Sequence, residues 1–285
     1  MVARVISGAV VVVVAVVTLT GCGRQASRRS APDLSLLATG PDRSVLPTVR
    51  PGVSEALDAA GGLAAWKQCT RIEAGATVTA CARDGCFYLT EQDFVICPWS
   101  DAIQVTAREP RAAFAWQVVG GQYYPPRADP NLDVSPLQGV RGDYAEAVLQ
   151  IVTAPVRMLD DGVVLTPRPA VSQIDGQWYL PIDVAYRGAA ENLKTRRTGN
   201  GANTGVETFR PTYWKQSVYF QDQRRPLVNM IWLGDPDAHK FLVVRGYNYA
   251  RPAAGGVLIP TKIEVFQSDA DASIGPRLAL IDLKQ

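Results

Sequence analysis

Hydrophobic positions change their period several times along the chain. Residues 5 to 17 are apolar almost without a break. Residues 23 to 50 show no period and are rich in Ser, Pro, Gly and Arg. Val53, Ala56, Leu57, Ala60, Leu63 and Trp66 then recur at helical spacing, with Ser54 placed to cap the start. Gly61-Gly62 interrupts that helix at a cost of about 1 kcal/mol per glycine relative to alanine. The pair marks a kink or a close approach to a sheet.

From residue 70 to about 124 the period drops to two. "RIEAGATVTA", "CFYLTEQDFVIC", "DAIQVTAR" and "RAAFAWQVV" read as strands of an antiparallel meander, with Asp-Gly, Pro-Trp-Ser and Glu-Pro at the turns. A proline-rich loop follows over 125 to 138. "DYAEAVLQIVTAPVRMLDD" returns to a helical period, ended or kinked near Pro155. "VSQIDGQWYLPIDVAY" predicts a hairpin turning at Asp175-Gly176, with Trp178, Leu180, Ile182, Val184 and Tyr186 on one face. Residues 188 to 210 read as a long loop. Four more strands, "YWKQSVYFQ", "PLVNMIWLG", "HKFLVVRGYNYA" and "VLIPTKIEVFQ", precede a short last one, "RLALIDL". Two helices and about ten antiparallel strands predict an α+β domain over residues 51–285. Strands apolar on both faces, such as "LVNMIWL", need cover on both sides, so the sheet is sandwiched or curls around an apolar interior.

The first segment reads differently from the rest. Arg4 supplies a positive start, the apolar run is shorter than the roughly 20 residues of a spanning helix, and small residues follow. That order is a signal peptide, residues 1–21. Leu19, Thr20, Gly21 and Cys22 resemble the bacterial lipobox, which implies a lipid on the Cys22 thiol and cleavage before it. Acyl chains anchor firmly, each buried methylene adding about 0.8 kcal/mol. Gly23 in place of an aspartate favours an outer-membrane address, with the protein facing the periplasm. Residues 22–50 then form a flexible tether whose ends lie ~30 Å apart.

Charge narrows the partners. The chain carries 29 Lys and Arg against 27 Asp and Glu, net +2, and cleavage removes only Arg4 from that balance. This is no nucleic-acid footprint. The expected partners are a lipid or an acylated protein, and the expected state is a monomer.

Cys69, Cys81, Cys86 and Cys97 remain beyond Cys22. In an oxidising compartment an even number predicts two disulfides. Asp84-Gly85 lies between two extended runs, and one hairpin register brings Cys81 to Cys86 and Cys69 to Cys97. A continuous strand from 69 to 81 is far too long for a bridge between its ends. Cys86 and Cys97 differ in strand parity, so a bulge or a break near Pro98 has to reconcile the two bridges. The spacings lack the CxxC pair of a zinc site.

Catalytic chemistry is sparse. His239 is the one histidine and follows a turn sequence, "GDPDA". No GxSxG elbow, Walker loop or HExxH occurs. "GNGANTG" lacks the strand–loop–helix setting of a phosphate cradle. "SDADASIG" opens like a calcium loop, but Leu280 stands where a glutamate is required. It reads as a hairpin loop. Glu91 shares a strand face with Phe87, Leu89 and Val95, as a ligand hook or, more simply, an exposed strand residue. No catalytic residue, metal or cofactor is assigned, and the chain reads as a non-enzyme.

"EALDAAGGLAAWKQ" heading a meander, with "GVLIPTKIEVF" near the end, resembles the lipoprotein-sorting fold of the LolA and LolB proteins over residues 52 to 284. The residues that carry it are Gly61, Gly62, Leu63, Trp66, Ile259, Pro260 and Thr261. The resemblance implies a curved, incomplete antiparallel barrel with helices closing its open side and an apolar concave face able to hold acyl chains. Burial there is worth about 25 cal/mol per Å² of apolar surface. Trp99, Trp116, Trp178, Trp214 and Trp232 are the candidate lining residues, since indole is apolar with one polar tip. The expected function is a membrane-anchored periplasmic lipoprotein that binds an acyl chain or lipoprotein. The alternative is a structural or interaction lipoprotein whose interior is filled by its own side chains.

Overall fold

The computed structural model describes residues 34, 53–81, 87–109, 115–124, 141–160, 163–186, 194–198, 205–209, 213, 215–220, 226–252 and 256–284. The signal segment, Cys22 and nearly all of the tether lie outside them. Leu34 is the one described residue of the tether, and it is buried against Cys97, Ala102 and Val119.

The first helical pattern forms two short helices, α1 (Val53–Ala59) and α2 (Leu63–Gln68). The break is at Gly61 and Gly62, which take φ of 115° and 86°. A β-carbon on Gly61 would stand 2.9 Å from the Gly256 carbonyl oxygen, and the Leu258 amide donates to the Ala60 carbonyl at 2.8 Å. The glycine pair is therefore both the turn and the place where two backbones meet.

The meander forms, with one strand more than the four expected. β1 (Ile72–Cys81), β2 (Phe87–Cys97), β3 (Ala102–Glu109), β4 (Ala115–Val119) and β5 (Gln122–Tyr124) pair in order, each antiparallel to the next. After helix α3 (Arg141–Arg157) come β6 (Val163–Pro167), β7 (Ser172–Ile174) and β8 (Gln177–Tyr186). Asp175 and Gly176 turn β7 into β8 with φ of 51° and 74°, the positive pair a tight hairpin needs. Trp178 pairs with Gln173 in that hairpin, whereas Leu180 to Tyr186 continue along the main sheet.

Residues 188 to 210 are not the plain loop expected. They contain β9 (Lys194–Thr198) and β10 (Gly205–Phe209), paired as a separate antiparallel ribbon. Threonine, valine and phenylalanine in these stretches favour strand. β11 (Lys215–Phe220), β12 (Val228–Asp235), β13 (Lys240–Ala250), β14 (Ile259–Ser268) and β15 (Ile274–Lys284) complete the chain. The described strands thus exceed the ten expected, and the last is full length rather than short.

All but the ribbon join one sheet of order β5-β4-β3-β2-β1-β15-β14-β13-β12-β11-β8-β6, with β7 attached to β8. It is antiparallel throughout, and β5 and β6 end the path unpaired with each other. Helix α3 touches β3 and β4 near one end and β12, β13 and β14 in the other half. Strands so far apart in order can share one helix only if the sheet curls around it. α1 packs against α3 as well. The architecture is therefore an unclosed, curved antiparallel sheet with few helices, and α3 lies on its inner face.

The alternation of each strand sorts residues between two faces. Ala76, Val78, Phe94, Ile103, Ile231, Val244, Ile263 and Ile281 face inward and form the main core with α1 and α3. On the outer face Tyr179, Tyr219, Met230, Trp232 and Val243 form a second cluster, covered in part by Ile174 of β7 and Ile274 of β15. This explains the doubly apolar "LVNMIWL": both faces of β12 are covered.

The register corrects the cysteine assignment. Ile72 faces Ile96, so Cys69 and Cys97 are not directly opposed in the β1–β2 register. Cys69 packs in the main core, while Cys97 belongs to the outer cluster with Leu34. The two thiols pack in different clusters and are not bridged to each other. Cys69, Cys81 and Cys97 are all free thiols. Cys86 lies outside the described residues.

Candidate functional site

Helix α3 is the unusual element. Every residue from Tyr144 to Leu159 is buried. A helix enclosed on all sides is ordinarily apolar all round. This one carries Glu146, Gln150, Thr153 and Arg157, all buried, at spacings of four, three and four residues. They form a polar stripe along one side. Asp143 in the first turn and Arg157 in the last suit the helix dipole. Pro155 removes one amide donor, and the helix ends two residues later. Thr153 is satisfied locally, its hydroxyl donating to the Leu149 carbonyl at 2.6 Å.

Arg157, at the end of the stripe, reaches another element. Nη1 of Arg157 donates to Oδ1 of Asp101, and both side chains are more than 90% buried. Asp101 follows the 3-10 turn Pro98–Ser100 and holds a left-handed conformation, φ 53°. That turn brings the carboxylate under the end of α3. Gln150 donates to Glu146 at 2.5 Å. Nε and Nη2 of Arg157 have no hydrogen-bond partner among the described residues. Such donors cost about 1–3 kcal/mol each when left unmet.

Between the second half of α3 and strands β8, β11 and β12 lies a cavity of about 10 Å³. That is room for one water-sized group. It is bordered by Gln150, Ala154, Arg157, Met158, Val184, Tyr186, Gln216, Val218 and Ile231, and the surface they turn to it is mainly apolar. Gln216 is oriented by its own donor bond to the Tyr213 carbonyl, 2.9 Å. Tyr213 in turn donates to Asp143 at 3.1 Å, and Lys240 pairs with the same carboxylate. Burial first, and then Asp143, push the Tyr213 hydroxyl well above its ordinary pKa.

The first half of α3 is fixed to the other side of the sheet. Tyr144 donates to Oε1 of Gln92 at 2.8 Å, and Gln92 donates to Thr90 at 2.7 Å. Trp116 meets Tyr144 edge to face at 5.9 Å. Burial raises the pKa of Tyr144 far above that of a free phenol.

The tryptophans expected to line one hollow are dispersed. Trp116 is in the main core, and Trp99 packs against it while donating to the Trp66 carbonyl at 3.0 Å. Trp232 faces outward, stacked on Phe241 at 5.8 Å with its indole donating to the Asp269 carbonyl. Trp178 is 57% exposed. Trp214 lies outside the described residues. None of the four described indoles lines the cavity beside Arg157.

The other motifs resolve simply. His239 is an exposed turn residue with φ 50°. Asp269 accepts from the Ser273 hydroxyl and from the amides of Ser273 and Asp271, which in that order hold its carboxyl below the usual range, so the loop is closed by its own hydrogen bonds. Glu91 accepts from Thr77 at 2.7 Å and from Lys284 at 2.5 Å, and these bonds lower its pKa. The plainer strand-surface account of Glu91 is the right one.

No family model and no curated protein sequence matches the chain. Several solved structures are similar to it in fold. A LolA superfamily protein of Nitrosomonas europaea has 11% identity and a TM-score of 0.45, covering 84% of this chain and 93% of its own. A DUF1329 family protein of Desulfovibrio piger has 10% identity and a TM-score of 0.49, covering 83% and 91%. An outer membrane lipoprotein-sorting protein domain of Vibrio parahaemolyticus has 7% identity and a TM-score of 0.36, covering 75% and 83%. At this level of likeness, what the chain does has to be read from its own interior.

Proposed function

We propose that the protein binds an acyl chain, free or on an acylated protein, against the inner face of its curved sheet. The role is non-catalytic. The observation that carries the reading is the occupant of that face. A mainly apolar inner face on an unclosed sheet is covered by α1 and α3, and α3 takes a polar stripe into the core. Burying such a stripe is expensive, whereas a leucine-lined helix would have filled the space cheaply. A helix bound this way is displaceable, and an acyl chain is the guest whose chemistry matches the wall it leaves. In this reading α3 holds the site closed until a ligand competes for it. The signal segment and lipobox add a Cys22 anchor, a tether that gives reach, and an address in the cell envelope, at the outer membrane facing the periplasm. The protein acts as a monomer.

A second reading is favoured by the cavity itself, which at about 10 Å³ holds no acyl chain as it stands. In that account α3 is a permanent core and the protein is a structural or interaction lipoprotein. Native mass spectrometry of the full-length protein purified in mild detergent separates the two. Co-purified lipid, or uptake of a fluorescent fatty acyl probe, supports acyl binding. A ligand-free mass with no uptake supports the structural role.

A further inference from the structure

The outer face of the sheet meets the tether at one point, and that point bears on how far the anchor reaches, an inference that rests on the Cys22 anchor proposed above. Cys97 of β2, Ala102 of β3 and Val119 of β4 form one cross-strand row, with Cys97 opposite Ala102 and Ala102 opposite Val119. The next residues along each strand, Ile96, Ile103 and Val118, belong to the main core, so by alternation the row lies on the outer face. Further along that face the same strands carry Asp93, Gln104, Thr106 and Gln117, all polar. The row itself is apolar and fully covered, Cys97 and Ala102 being 0% exposed and Val119 1%. Leu34, buried in its turn, packs on it, with Val95 and Tyr124 alongside. Ala102, the smallest side chain of the three, stands in the middle and leaves space for a leucine. The backbone of residue 34 is met too, because the Cys97 thiol donates to its carbonyl at 4.0 Å.

We propose that this row is the docking site of the protein's own tether, and that Leu34, clipped into it, sets the length and the direction of the membrane leash. Cys22 precedes Leu34 by twelve residues and precedes Val53, where α1 begins, by 31. Fully extended, twelve residues span ~40 Å and 31 span ~100 Å. With Leu34 seated, the lipid pulls on the outer face of β2–β4 and not on α1. That face is held toward the bilayer, and residues 35–52 add nothing to the reach.

The test uses the full-length acylated protein on a supported bilayer, with the height of the protein layer read by neutron reflectometry. An insert of about 36 Gly and Ser residues after Gln25 is expected to raise the layer by ~20 Å, and the same insert after Arg43 to leave it within about 5 Å. In Leu34→Asp the two inserts are expected to act alike. A second readout needs no membrane. Iodoacetamide labelling with peptide mapping is expected to modify Cys97 at least about tenfold faster in Leu34→Asp than in the wild type, while Cys69, in the main core, stays protected in both. Should Leu34→Asp expose Cys69 as well, Leu34→Ala takes its place in both readouts. Equal shifts from the two inserts in the wild type, or a Cys97 no more reactive in the variant, overturns the clip and leaves the anchor standing. A Cys22 peptide without an acyl mass overturns the anchor and the leash together.

Discussion

Arg157 and Asp101 stand 56 residues apart in sequence, yet form an ion pair in the interior, the guanidinium from the end of α3 and the carboxylate from the turn after β2. The pair joins the helix to the first meander at the point where α3 also borders β8, β11 and β12. It fixes the depth and rotation of α3, and with it the rest of the polar stripe.

Removing one partner leaves the other charged and buried. Arg157→Met alone is expected to lower stability by about 3–5 kcal/mol, and Arg157→Met with Asp101→Asn by much less. Urea denaturation followed by tryptophan fluorescence checks this. Equal losses for the single and double variants would mean that the pair does not couple.

Gly61→Ala is expected to destabilise the protein by about 1–3 kcal/mol, because φ of 115° is strained for alanine and its β-carbon would stand 2.9 Å from a carbonyl oxygen. Gly62→Ala, with nothing within 4 Å, pays only the backbone strain. The thermal midpoint of Gly61→Ala should therefore fall further than that of Gly62→Ala.

Tyr144→Phe deletes the donor to Gln92 and leaves that amide oxygen buried without it. A loss of about 1–3 kcal/mol is expected. Gln92→Leu added to it should recover part of the loss, since the unmet acceptor is then gone. A double variant less stable than the single would contradict this network.

Burial pushes the thiols of Cys69 and Cys97 from the ordinary 9.0 up to about 11. The buried phenols of Tyr144 and Tyr249 move in the same direction for the same reason. All are uncharged when protonated, and all hold their protons more tightly folded than unfolded. The stability they contribute is present in full below pH 9 and is lost as pH rises toward 11. The thermal midpoint of the reduced protein should fall across that window. Iodoacetamide at pH 8, without reductant, should label Cys69 and Cys97 only after denaturation. Failure to label them then would restore the bridge that the register argues against.

How far the sequence foretold this arrangement differs by element. The β1–β2 and β7–β8 hairpins, the break at Gly61-Gly62 and the helix ending near Pro155 all followed from local chemistry: turn residues, glycine and a missing amide. Register did not. Counting across a turn brings Cys69 toward Cys97, but the pairing of Ile72 with Ile96 leaves Cys69 in the helix cap before β1, and the two thiols pack in different clusters. Nor could pattern alone sort the tryptophans between faces, since Trp232 and Trp116 look alike until the face of each strand is known. The site itself had a signal. Glu146, Gln150, Thr153 and Arg157 recur as a helical stripe, but such a stripe reads as the solvated side of an amphipathic helix. Only a sheet curled around it turns that side inward, and curvature is a property of many strands together.

Hydrogen exchange across residues 144–159, with and without 1-monopalmitoylglycerol, tests most directly whether α3 and an acyl chain compete for one surface. The account predicts slow exchange in the free protein and faster exchange across these residues when the ligand is bound. Ligand binding with exchange unchanged or slowed over the same residues would contradict it.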